Sequence, residues 1–417
     1  MKLRRILCLA FFLLQLNARA QQQHNILKQL IQRDSFSIKY AAVLQNPLKY
    51  HLQVIYTQII RDSNNVPHLH KYSLFPKTEE YYYPASLVKL PMVAMALEKI
   101  KRLHIPGLTK DTRLIVDSSY YCERPQYKDT TAKSGHPSIA HYIKKMLLVS
   151  DNYSYNRMYE FLTPNYINER FAELHYTHAL VNQRFTGRCD SNFNRVTNTF
   201  TFLSDDSSRV IYKQHSDSNS CEITNTARNT VLGKGYYDDG KILPPKDFSR
   251  NNYIPFEDIN NILLSIMLPK AYKTSERFDL AKDDYKFLYK YMSMLPRESD
   301  YPHYDQKEYP DNYKKYIYFG TEDTITDTTV RSFNIVGRAY GFLADCAYIV
   351  DIKDHVEFGL SVLIYANDKD ILNTNNYGYD TLALPFMSDL GHLIFNYELK
   401  RKKKYPADLS ALIMHYP

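Results

Sequence analysis

Tyr83-Pro84-Ala85-Ser86-Leu87-Val88-Lys89-Leu90-Pro91-Met92-Val93-Ala94-Met95-Ala96-Leu97 is the stretch on which the fold of this chain turns. Leu87, Leu90, Val93, Ala94, Ala96 and Leu97 give the segment one apolar side at helical spacing, and Pro91 falls in the first turns, where a missing N–H costs least. Ser86 and Lys89 are three residues apart, so their side chains share a face at the helix start. A serine hydroxyl is a weak nucleophile unless a neighbouring base takes its proton. A lysine amine becomes such a base when burial and nearby positive charge lower its pKa. The helix start adds N–H groups and positive dipole potential for a developing oxyanion. The same two residues also suit a helix cap and a solvated charge, so the tetrapeptide alone leaves both readings open.

Working outward, His24 to Arg33 has helical spacing. Tyr50 to Ile59 and a run near Lys71 to Leu74 read as a hairpin, with its turn at Asp62 to Asn65. Ser138 to Val149, Tyr153 to Leu162 and Tyr166 to Leu174 read as helices. From about Phe185 to Arg250 the chain turns polar, with a hairpin around Phe200 to Lys213, and reads as an insertion. A helix is expected at Phe256 to Met267, followed by Tyr- and Pro-rich sequence from Tyr285 to Tyr318. Phe333 to Val336, Ala347 to Ile352 and Val356 to Ala366 read as a meander, and Leu382 to Leu399 as a closing helix. Strands at both ends around a helical middle predict an α+β fold. One antiparallel sheet would draw on both termini, with terminal helices on one face and the helical middle on the other.

Composition fits a folded chain, with 44% hydrophobic and 24% charged residues. The 38 tyrosines, with no tryptophan, fall largely in polar stretches and read as surface. Net charge is +8, and the run Lys400-Arg401-Lys402-Lys403-Lys404 reads as a solvated helix tail. No second basic face points to nucleic acid. Lys2, Arg4 and Arg5, the apolar run Ile6 to Leu16 and Ala18-Arg19-Ala20 predict a signal peptide over residues 1–20 and export of residues 21–417. The apolar run is short of the roughly 20 residues a span needs, and no later segment is long and apolar enough to cross a membrane. Cys122, Cys189, Cys221 and Cys346 remain after cleavage and allow three pairings. Cys189 with Cys221 is the favoured one, and Cys346 reads as a buried thiol. No spacing suggests a metal site or a cofactor.

Ser150-Asp151-Asn152 follows one amphipathic helix and precedes another. On its own it is an ordinary cap sequence. Ser-x-x-Lys and Ser-Asp-Asn in that order resemble the class A β-lactamase and penicillin-binding-protein superfamily of serine hydrolases. Pro137 to Ala140 with Val149 to Asn156, and Tyr340 to Val350 with the strand before it, resemble further parts of that pattern.

The resemblance implies roles for each matched position. Ser86 is acylated, Lys89 accepts or relays its proton, and Ser150 protonates the departing nitrogen. Asn152 holds a substrate amide. The backbone N–H of Ser86 and one after Gly337 form the oxyanion hole. The substrate would be a small β-lactam or a cell-wall peptide, with the helical subdomain at about 86–270 and the insertion at about 185–250.

Two departures stand out. Asn334-Ile335-Val336-Gly337-Arg338 keeps the glycine of the third motif but not its lysine and threonine. Arg338 either replaces the cation or points to solvent. Class A enzymes also use a loop glutamate for deacylation, and none lies between Glu173 and Glu222; Asp190 is the nearest carboxylate candidate. The implied function is an acyl-serine hydrolase, with a slowly acylated binding protein and a DD-peptidase as alternatives.

Overall fold

The structure is a computed structural model and describes residues 25–417 apart from 34, 78, 120, 123, 186–188, 190–192 and 220–222. The expected signal segment, Asp190 and Cys221 lie outside the described residues.

The strands expected from the two ends form one antiparallel five-stranded sheet. Its order is Val330–Ala339, Phe342–Asp351, Val356–Tyr365, Gln53–Arg61 and Pro67–Leu74. The N-terminal hairpin therefore completes the C-terminal meander, with Tyr56 opposite Leu360 and Gln53 opposite Leu363. Strand side chains alternate between faces, and each face has its own core. Val54, Val336, Ala347, Ile349 and Phe358 pack against the helices Ile26–Arg33 and Leu384–Lys400. Phe333, Ile335, Ala344, Cys346 and Tyr348 pack with the helical middle, including Leu90, Val93 and Leu97 of Lys89–Leu103 and Ile262 and Leu263 of Phe256–Met267. All ten residues of the central strand Val356–Tyr365 are buried, as a strand covered on both faces requires. The fold is the α+β arrangement expected from the sequence, an antiparallel sheet between terminal helices and a helical middle.

Three expectations need correction. The tyrosines are not mainly surface: Tyr56, Tyr82, Tyr142, Tyr155, Tyr159 and Tyr348 are fully buried. Their hydroxyls find partners inside, Tyr82 donating to the Ile254 carbonyl at 2.8 Å, Tyr142 to Gln126 at 2.6 Å and Tyr348 to Glu357 at 2.7 Å. The disulfide joins Cys122 to Cys189, not Cys189 to Cys221, because the fold brings those two α-carbons to 6.1 Å. The basic run is only partly solvated, since Arg401 bonds Glu398 at 2.8 Å and the Ile59 carbonyl at 3.0 Å. Cys346 is a buried thiol, as expected.

The polar stretch after Phe185 is woven into the fold. Its hairpin, Thr199–Leu203 with Val210–Gln214, pairs with Leu114–Asp117. Gly235–Asp238 pairs with Ile371–Leu372 near the C-terminal end. A helix at Lys282–Ser293 was hidden within tyrosine-rich sequence; Leu288, Tyr289 and Met292 supply its buried side.

Candidate active site

Ser86 lies on a one-turn 3-10 segment, Ala85–Val88, that runs into the helix Lys89–Leu103. Ala85 before it has φ +47, a left-handed conformation that side-chain-bearing residues rarely adopt. Gly337 on the edge strand packs against this turn. A Cβ added at Gly337 would meet the Pro84 carbonyl oxygen at 2.4 Å and Leu87 Cγ at 3.1 Å. The glycine thus lets the strand backbone come directly against the turn that carries Ser86.

Ser150 ends the helix Ile139–Val149 in a left-handed cap with φ +59. Asp151 then caps the helix Asn152–Leu162 by accepting the Ser154 N–H at 2.7 Å. This elbow turns Ser150 and Asn152 toward Lys89. The Lys89 amine donates to Ser86 Oγ at 2.9 Å, Ser150 Oγ at 2.9 Å, the Ser150 carbonyl at 2.5 Å and Asn152 Oδ1 at 2.7 Å. Four of the six site residues expected from sequence are therefore drawn together on one ammonium-sized point.

Lys89 is fully buried. Burial first, then the positive charge of Lys314, hold its pKa well below the usual lysine value, against the opposing charge of Asp151. Lowering its pKa favours the amine as a base, and it touches both hydroxyls. A proton leaving Ser86 can be passed through the amine to Ser150.

Gly337 and Arg338 lie across the cleft from the helix. Arg338 is exposed, yet it does not project freely into solvent: its guanidinium sits 4.4 Å from the Tyr379 ring centroid and acts electrostatically on the Tyr316 hydroxyl. Tyr379 is itself anchored by accepting the Gly341 N–H at 2.8 Å. The cleft holds about 500 Å³ and exposes Ser86, Asn152 and Arg338 along with Tyr340, Tyr377 and Phe185.

Residues 69–219, the stretch carrying Ser86, Lys89, Ser150 and Asn152, match the family model described as the β-lactamase enzyme family. Over that stretch the chain is similar to the β-lactamase enzyme family. The edge strand with Gly337 and Arg338 lies beyond the matched stretch. Solved structures to which it is similar include a β-lactamase from Sphaerobacter thermophilus DSM 20745, at 10% identity over 86% of this chain and 96% of that one, with a TM-score of 0.43. The β-lactamase from Streptomyces albus G gives 11% identity over 86% and 98%, with a TM-score of 0.44. The protein titled PBP-A gives 10% over 83% and 89%, with a TM-score of 0.45. No curated protein matches the chain in sequence.

Sequence reasoning missed two members of this site. Lys314 comes from the loop before the edge strand and lies within electrostatic reach of both Lys89 and Arg338. Its carbonyl accepts the Asn334 side-chain N–H at 2.6 Å. The next residue, Lys315, turns inward, donating to the Ser332 carbonyl at 3.0 Å and Asn334 Oδ1 at 2.7 Å, while Asn334 donates to Asp345 at 2.8 Å. Asp345 also accepts the N–H groups of Tyr316 and Ile317 at 3.0 and 2.9 Å. That buried network clamps the loop to the sheet and fixes where Lys314 stands. The Lys314-Lys315 pair was the one available signal, but nothing local says which lysine turns inward. Phe185 is the second, described below.

Gly337→Ala is expected to cost about 1–3 kcal/mol, because the added methyl pushes first against the Pro84 backbone carbonyl. Acylation should fall by about 10²–10³, the weight of one displaced oxyanion donor. Thermal denaturation and an acylation assay on the purified variant check this; unchanged values in both would refute the contact.

Proposed function

We propose that this chain is an exported acyl-serine hydrolase in which Ser86 is acylated by a β-lactam or a related amide or ester. The observation that carries this reading is one buried, low-pKa amine bonded to two serine hydroxyls at 2.9 Å each. As Ser86 Oγ attacks the carbonyl carbon, its proton passes to Lys89. The carbon–nitrogen bond then breaks, and Ser150 gives the nitrogen a proton that Lys89 replaces. The N–H of Ser86 and one on the edge strand after Gly337 receive the oxyanion. Asn152 bonds the amide of the acyl side chain. Arg338, on the opposite wall of the cleft, faces the substrate carboxylate in place of the missing third-motif lysine, with Lys314 adding positive potential close by.

Export fits the disulfide between Cys122 and Cys189, which belongs in an oxidising compartment. It also fits residues 1–20 as a cleaved signal. Among the described residues, no helix is long and apolar enough to cross a membrane. On this reading, residues 21–417 form one catalytic domain whose helical subdomain spans about 86–270.

A second reading, a slowly turning-over penicillin-binding protein or DD-peptidase, is favoured by one observation. Among the described residues, the groups bonded to Lys89 are hydroxyls, a carbonyl and an amide, with no carboxylate to activate water. Intact mass of the purified protein after incubation with a reporter penicillin separates the readings. A persistent adduct supports slow turnover, loss of penicillin without an adduct supports a true lactamase, and no reaction at all counts against both.

The pH profile gives a further test. Acylation needs neutral Lys89, so the rate should be full above its lowered pKa and fall as pH drops through it. Lys314→Met removes a charge that opposes protonation of Lys89, so the acid limb of the profile should move to higher pH. An acid limb that stays in place would rule out this electrostatic role.

A further inference from the structure

We propose that Phe185 is the residue that keeps hydrolytic water away from the acyl-serine, and so makes the acyl-enzyme long-lived. The inference rests on Ser86 being acylated as described above. Hydrolysis of that ester requires a water oxygen to attack the acyl carbon, a base to take the water proton, and Ser86 Oγ to leave with a proton as the alcohol. Lys89 is the base in contact with Ser86, so the water must reach Lys89 and the acyl carbon together.

The amine offers no open side for it. Four oxygen partners lie within 2.9 Å, more than the two N–H groups and one lone pair of a neutral amine can serve. Two rings close the remaining approach, with the amine 5.3 Å from the Phe185 centroid and 5.9 Å from that of Tyr155. Phe185 alone of these two also lines the cleft beside Ser86.

The ring is held firmly. It stacks on Tyr155 with centroids 4.1 Å apart and planes at 21°. The Tyr155 hydroxyl is fixed by donating to the Gln183 carbonyl at 2.8 Å and accepting from Asn252 at 3.2 Å. The Phe185 N–H donates to Asn156 Oδ1 at 2.9 Å, which ties the start of its loop to the helix Asn152–Leu162. Its neighbour Arg184 is locked to Glu160 beneath the same helix. An apolar plug fastened at its ring and its backbone cannot swing aside to admit water, and it offers water no hydrogen bond.

The test compares acylation and deacylation by intact mass, using a reporter penicillin on the wild type, Phe185→Ala and Phe185→Leu. Phe185→Ala should still form an adduct and lose it at least about tenfold faster than the wild type, a part of the roughly 10²–10⁴ that a base with access to water supplies. Phe185→Leu, which keeps an apolar plug, should retain a lifetime close to the wild type. A folded Phe185→Ala whose adduct lasts as long as the wild type's overturns the inference, as does wild-type protein that consumes penicillin with no adduct. Absence of any wild-type adduct or consumption instead brings down the acyl-serine reading and this inference with it.

Discussion

Ser86→Ala is expected to abolish adduct formation with a reporter penicillin while leaving the fold intact. The wild-type hydroxyl is half-buried at the mouth of the cleft and bonds outward only to Lys89 among the described residues, so its loss removes little packing. The effect on chemistry is large because nucleophile and base act as a unit. Losing either costs about 10⁶ in rate, close to the loss from removing both. Lys89→Met should therefore be nearly as inactive, and the double variant little worse than either alone. Intact mass and single-turnover rates for the three variants check this. An adduct of wild-type mass on Ser86→Ala would mean that some other group is the nucleophile.

The largest expected loss of stability comes from Glu160→Ala. Glu160 is completely buried on the helix Asn152–Leu162 and joins three segments. Its carboxylate accepts from Arg157 at 3.1 Å, Arg184 at 3.2 Å and Asn198 at 2.9 Å. Arg184 in turn bonds the Phe193 and Val196 carbonyls, so those two residues are tied to this one acid as well. Removing the carboxylate leaves the positive charge of Arg157 and Arg184 in a dry interior, at a cost of about 3–5 kcal/mol. The disturbance should also reach the cleft, since Phe185 follows Arg184 directly. Chemical denaturation measures the first effect and adduct lifetime the second. A stability loss under about 1 kcal/mol would show that water or other partners replace the acid easily.

The parts of the site legible in the sequence are those whose geometry is local. Ser86 and Lys89 are one helical turn apart, and Ser150 and Asn152 flank a residue that must cap a helix. Their mutual approach then follows from one fold-level match. The sheet was legible because its strands are apolar runs separated by turns. Lys314 and Phe185 were not legible, because each arrives on a loop whose course is set by distant contacts. Lys314 depends on Asn334 and Asp345, and Phe185 on Asn156 and Tyr155. The disulfide failed for a related reason. Pairing depends on three-dimensional proximity, and Cys122 reaches Cys189 from a segment 67 residues earlier. Buried tyrosines misled because a hydroxyl looks polar in a sequence even where a carbonyl inside the protein awaits it.

The loop clamped by Lys315, Asn334 and Asp345 has a consequence for how such a cleft can change. Where strand and charge are one residue, altering ligand preference means altering the backbone edge that helps polarise the carbonyl. Here Arg338 keeps one charge on the edge strand, while Lys314 brings a second to its neighbourhood from a separate stretch. On the proposed reading, substitutions at Lys314 change the charge felt in the cleft while the backbone of the edge stays as it is.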